Sequence, residues 1–327
     1  FVSSFNLANF EDSTIGANVS GMALSLASRI TMNSHSGLRS GYVYENDPNS
    51  LVFWEGDQPY PGCVATRRVG LGKEHATIQA AVNALPVVLL GHSCIVIDDG
   101  ATYAEQVTVQ NFTNAGSSIT IFANPASGLT PVVSPPANST AAFVIANASV
   151  NIQGISAVIT QNIPYGIWSS SSYVALSSVA VSTNGALGFY DAGVRLGSWN
   201  DMSYSTVTAW NSRAIWLESS MQTRIAYSTA TNLASSICAI CLDGSSSNTL
   251  VATYASAPLL IALHVRAGSN NNTVAQSTFV SNSGFISGGL ALDASSSNTV
   301  TGVYAYNPQG YAAGIANAAG YNTITLS

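Results

Sequence analysis

The sequence predicts an all-β protein, a right-handed parallel β-helix (solenoid) with an N-terminal β-rich module and a short capping helix. Three observations carry this. The dipeptide Asn-Thr recurs at Asn248, Asn272, Asn298 and Asn322, at spacings of 24, 26 and 24 residues. Each copy follows a polar turn and precedes a short β-branched run, and a fixed period of this kind marks a repeat architecture. The period is too short for a βαβ unit and lacks helical spacing of apolar residues, yet it holds about three short strands with their turns, one coil of a solenoid. Only 7% of the 327 residues are charged, against about 25% in typical soluble proteins, and Ser, Thr, Asn, Ala and Gly take the place of the usual charged surface.

Residues 1–70 do not match the repeat and read as an N-terminal β-rich module able to supply assembly strands. Val19–Ala27 alternates in the manner of a strand. Gly41–Tyr44 and Leu51–Trp54 are aromatic and β-branched runs separated by Glu45–Asn49, the pattern of a hairpin or a pair of strands. Pro59, Pro61 and Gly62 mark a turn. Residues 71–327 form the parallel β-helix. Its helical cap is expected at 76–85: Thr77 can cap the start, Ile78, Ala81, Val82 and Leu85 make one apolar face, and Pro86 ends the helix. Strands follow at Ile95–Ile97, Tyr103–Val109 and Ser118–Phe122.

The segment Thr77-Ile-Gln-Ala-Ala-Val, then Ile95-Val-Ile, then Gly100-x-x-Tyr103-x-Glu105-x-Val107, resembles the opening of right-handed β-helix proteins of the pectin methylesterase and pectate lyase type. The resemblance covers about residues 75–125. It implies that the helix closes the N-terminal end of the solenoid and that Tyr103 and Glu105 serve the first coils instead of chemistry. The later Asn-Thr coils look like generic β-helix repeats of surface proteins. The methylesterase motifs Gln-Asp, Asp-Phe and Gly-Arg-x-Trp do not occur, and neither does a Gly-x-Ser-x-Gly elbow.

With variable loop lengths the repeat extends backwards. Taking Leu250 as reference, its equivalents are read as Val150, Val174, Met202, Arg224, Val274, Val300 and Ile324. Arg224 breaks the pattern, and Ile225 is the alternative occupant of the inward place. A second turn carries Asn162, Asn184, Asn211, Asn232, Asn282 and Asn307. Asn tolerates the left-handed backbone, so these residues are expected to form a structural ladder.

Net charge is −6 with a single lysine, Lys73, which speaks against nucleic acid as a partner. No apolar run is long enough for membrane insertion. Cys63 and Cys94 are a disulfide candidate. Cys238 and Cys241, placed within one strand, would point to opposite faces and are expected to remain small buried residues. One Cys-x-x-Cys without clustered histidine is too little for a zinc site, so no metal and no cofactor is expected. Composition and a chain beginning at Phe1 fit a processed protein in an extracellular or cell-surface location. Asn111-Phe-Thr, Asn138-Ser-Thr and Asn147-Ala-Ser are glycosylation sequons.

No catalytic residue is assigned. The acidic candidates Asp98, Asp99, Asp191, Asp201, Glu218, Asp243 and Asp293 and the histidines His35, His75, His92 and His264 are scattered in sequence. Counting back from each turn, however, places Trp168, Arg195, Glu218, Asp243, Arg266 and Asp293, and then Asn317, on one corner. This line is either an ion-pair ladder or a ligand-binding groove for a polysaccharide, with Trp199, Trp210, Trp216 and Tyr190 nearby for stacking on sugars. The chain stops at Ser327 as a strand begins, so an open last coil is expected to pair with another copy, head-to-tail or by strand donation. The sequence therefore favours a non-enzymatic structural protein, a fibre or filament subunit or an adhesin-like module. The alternatives are a carbohydrate-active β-helix (lyase, esterase or tailspike-like depolymerase) and a polysaccharide-binding module.

Overall fold

The computed structural model describes residues 60–326, apart from 114–115, 184, 186, 235–236, 285–287 and 318, together with eight short strands between Val2 and Trp54. These early strands pair in parallel. Met22–Ser25 lies between Val2–Ser3 and Val43–Glu45, and Arg29–Met32 lies between Ala8–Phe10 and Leu51–Trp54. The two aromatic runs therefore pair with earlier strands and not with each other. The side chains of this segment, His35 included, lie outside the described residues.

From residue 60 onward the chain is a parallel β-solenoid of about ten turns. Each full turn contributes one strand to each of three sheets. The first sheet runs from Ala65–Val69 to Thr323–Leu326, the second from Thr102–Tyr103 to Thr299–Tyr306, and the third from Val107–Gln110 to Ala313–Ala316. Strand residues alternate inward and outward, and the inward ones stack. Ile95, Ile121, Ile152, Leu176, Met202, Ile225, Leu250, Val274 and Val300 follow one another in register along the first sheet, and all are buried. Each such side chain contributes about 1.5–3 kcal/mol on leaving water.

This register confirms Ile225 and corrects two expected equivalents. Leu176 pairs with Met202 and Ile152 with Leu176, so Val174 and Val150 stand two residues too early. A slip of two keeps a side chain on the same face, which is why hydrophobicity alone cannot reveal it.

The Asn-Thr repeat is a buried amide ladder at the corner between the third and first sheets. Asn248 Nδ2 donates to Asn272 Oδ1 at 3.1 Å, Asn272 Nδ2 to Asn298 Oδ1 at 2.9 Å and Asn298 Nδ2 to Asn322 Oδ1 at 3.0 Å. The same oxygens accept backbone N–H groups that the turn would otherwise leave without partners. The second asparagine series is not a ladder. Asn232 is in register with Ala209, two residues before Asn211. Asn232 and Asn307 donate within their own turns, to Ile237 O at 3.0 Å and Tyr311 O at 3.2 Å. Asn162, Asn211 and Asn282 are exposed, and Asn184 lies outside the described residues.

The cap helix is Ile78–Asn83, started by Thr77, whose hydroxyl accepts from Ala80 N at 3.1 Å. Glu105, on the next coil, accepts from Ile78 N at 2.8 Å and Gln79 N at 3.0 Å, satisfying two donors that a helix start leaves open. Ile78, Ala81 and Val82 face the core. Beneath the helix, Arg67 holds the inward place opposite Ile95 and spends its charge on Glu74 at 3.3 Å and Ala84 O at 3.0 Å. Tyr103 donates to Asp99 at 2.7 Å. Both residues of the Tyr-x-Glu motif thus serve the first coils.

Both cysteine pairs are disulfides, Cys63–Cys94 and Cys238–Cys241. The second corrects the expectation of free thiols. The strand begins only at Ile240, so Cys238 sits in the bend before it and strand alternation does not apply.

Candidate outer-face site on the third sheet

In the third sheet Ile167, Val194, Ile215, Ile240, Leu263 and Leu290 stack inward. One residue further on, the outward row reads Trp168, Arg195, Trp216, Cys241, His264 and Ala291. Two residues beyond that, a second outward row reads Glu218, Asp243, Arg266 and Asp293. The single line expected from the sequence is therefore two adjacent rows. Trp168 and Arg195 belong to the first, and the other four expected residues to the second. The error has a physical source. Arg195 lies seven residues before Met202, whereas its partner Trp216 lies nine before Ile225, so counting back from the turn lands on Glu218. Asn317 lies one residue past the second row and donates to Asp293 Oδ1 at 2.6 Å.

The charges pair between the rows and along the second one. Arg195 is bonded to Glu218, and Arg266 to Asp243 through both Nε and Nη2. Asp243 also accepts from Trp216 Nε1 at 2.9 Å. Burial alone would raise the Asp243 pKa, but Arg266, the indole N–H and Arg213 outweigh it and hold the carboxyl below the usual range. His264, 3.8 Å from Asp293, is pushed down by burial and by Arg266 in spite of the neighbouring carboxylates. It is neutral near pH 7.

On the coils where the first row begins, the aromatic groups converge. Tyr165 stacks against Trp168 with centroids 6.3 Å apart. The Arg195 guanidinium lies 5.8 Å from the Tyr165 ring and 5.1 Å from Trp216, and Arg213 lies 4.2 Å from the same indole. Cation–π contacts of this kind orient both partners. Burial raises the Tyr165 phenol, the charge and hydrogen bond of Asp191 raise it further, and Arg195 partly opposes them. Arg213 Nε and Trp168 Nε1 are buried without a hydrogen-bond partner among the described residues. Such donors are uncommon in folded proteins and call for an acceptor.

Tyr165, Asp191 and Arg213 were not assigned to the site from sequence, and Trp216 and His264 were noted only as neighbours or scattered groups. Tyr165 and Arg213 stand two residues before the inward Ile167 and Ile215, so strict alternation would have turned them to the core. The buried pairs Gly166–Ile167 and Ala214–Ile215 break that alternation, which the sequence pattern does not reveal. Trp199 lies instead on the corner leading to the first sheet, 6.4 Å from Tyr173, and Tyr190 and Trp210 on the corner leading from the second. Cys63, His92 and Cys94 also meet, near the first coil, but both sulfurs there are committed to the disulfide.

No family model matches the chain, and no curated protein matches it. Among solved structures it is similar to pectate lyase Pel9A, with a TM-score of 0.51 at 11% identity over 81% of this chain and 78% of that one. The fold is that of the parallel β-helix proteins. Two further similar structures are the mannuronan C-5 epimerase AlgE6 A-module of Azotobacter vinelandii (TM-score 0.42, 9% identity, 94% of this chain and 91% of that one) and the periplasmic alginate epimerase AlgG (TM-score 0.38, 9% identity, 98% and 78%).

Proposed function

We propose that this protein is a carbohydrate-active β-helix that holds a polysaccharide against the outer face of its third sheet. One observation carries the reading. Two indoles, a phenol and two guanidinium groups are gathered on neighbouring coils beside paired carboxylates. An ion-pair ladder alone needs no aromatic rings, and exposed pairs contribute only about 0–1 kcal/mol. Aromatic faces suit the apolar faces of sugar rings, and guanidinium N–H groups suit their hydroxyl and ring oxygens. The scaffold reading favoured by the sequence rested on absent motifs and simple repeats, and this surface supports the carbohydrate alternative better.

The test is a panel of neutral and acidic polysaccharides measured for binding and for chain cleavage. Wild type is expected to retain at least one of them. Trp216→Ala, which removes the ring shared by Arg195 and Arg213, is expected to weaken binding by about tenfold or more, about 1.4 kcal/mol. A panel in which nothing binds, or binding indifferent to Trp216→Ala and Arg195→Ala together, would sink the reading.

A further inference from the structure

On the same coils, at the corner where the chain passes from the second sheet into the third, lies a smaller cavity of about 210 Å³. Its walls are Asn162, Thr183, Tyr190, Trp210 and Asn211, closed behind by Gly188 and Phe189. Among the described residues no charged side chain lines it, in contrast to the neighbouring face. Tyr190 is 60% exposed and Trp210 39% exposed, so two rings stand largely in water at one hollow. The amides are also available. Asn162 Oδ1 accepts only a long bond from Gly188 N, 3.4 Å, and the Asn211 side chain makes no hydrogen bond among the described residues. On later coils two asparagines near this corner are used differently, since Asn232 and Asn307 are buried and close their own turns. The hollow also depends on Gly188, because a Cβ there would collide with the Thr183 methyl.

We infer that this corner cavity is a subsite for one uncharged pyranose ring, separate from the charged rows of the third sheet. The cavity is smaller than the about 300–1,000 Å³ of sites for drug-sized molecules, which suits a single ring. A pyranose has apolar C–H faces and a rim of hydroxyls. Tyr190 and Trp210 offer the faces, and Asn162, Asn211 and Thr183 offer donors and acceptors at the rim. With no ionised group to pair with it, a uronate carboxylate would lose hydration there without compensation. The inference builds on the carbohydrate reading of the adjoining face but has its own residues and its own readout.

The test uses the intact chain and ligand-observed NMR titrations. The probes are the methyl glycosides of glucose, galactose, mannose and N-acetylglucosamine, with methyl glucuronide as the charged counterpart. At least one neutral glycoside is expected to bind, and more tightly than the glucuronide. Trp210→Ala should weaken it about tenfold and Asn211→Ala about threefold, while Tyr254→Ala, an exposed ring on the second sheet, should leave it unchanged. Should Trp210→Ala fail to fold, Tyr190→Ala and Asn211→Ala carry the same test. The inference is overturned if no neutral glycoside binds wild type, if the glucuronide binds as well, or if binding survives loss of both Trp210 and Asn211. These titrations report on the corner even where polysaccharide binding to the charged face is lost, so the two proposals can fail separately.

Discussion

Asn272 shows how much one side chain carries in this fold. Its Oδ1 accepts from Asn248 N and Nδ2, and its Nδ2 donates to Ser245 O at 2.8 Å and to Asn298 Oδ1. Replacing it with Ala strips partners from several buried groups, each costing about 1–3 kcal/mol when unsatisfied. We expect Asn272→Ala to lose about 3 kcal/mol in chemical denaturation. Asn282→Ala, at an exposed position, should stay within about 0.5 kcal/mol. The Asn-Thr residues were legible in sequence because they are both periodic and locally self-consistent. The second asparagine series has the same residue type and a similar spacing but different registers, so composition could not separate a ladder from isolated turn closures. Tyr165 and Arg213 were illegible for a different reason. They share the parity of the inward Ile167 and Ile215, and only a local break in strand alternation turns them outward.

At the scale of elements, the cap and the two disulfides make distinct predictions. Glu105 accepts the first two free N–H groups of a six-residue helix that no charged residue of its own first turn supports. Glu105→Ala should cost about 1–3 kcal/mol and should raise amide exchange first in residues 78–83, with the later coils slower to respond. Cys63 and Cys94 are 31 residues apart and Cys238 and Cys241 only 3. By the loop-entropy relation, losing the first bridge should cost up to about 4 kcal/mol and the second up to about 2 kcal/mol. Paired Cys→Ser variants under denaturant check the order. The helix was legible from its apolar face and from Thr77. The Cys238–Cys241 bridge was not, because the strand boundary at Ile240 decides it and boundaries are the least readable feature of a sequence.

For the whole molecule, the solenoid follows from period, low charge and stacked aliphatics, and all three are written along the chain. The outer face is not, since it forms from residues about 21–27 positions apart that meet only through exact coil lengths. That face also sets an acid response. The pKa values of His264 and Asp243 both lie below their ordinary values of 6.5 and 3.8, so each group binds fewer protons folded than unfolded. The stability they contribute is present above those values and is lost as pH falls through the lowered ones. Thermal midpoints should therefore begin to fall below about pH 6.5, and His264→Gln should flatten the upper part of that decline. The central claim, a sugar polymer lying against the third sheet, is tested most directly by a crystal structure with the tightest-binding oligosaccharide from the panel. The account predicts sugar rings over Trp168, Arg195 and Trp216, with a guanidinium N–H of Arg195 or Arg213 donating to a sugar oxygen. Sugar density confined to the first or second sheet would contradict it.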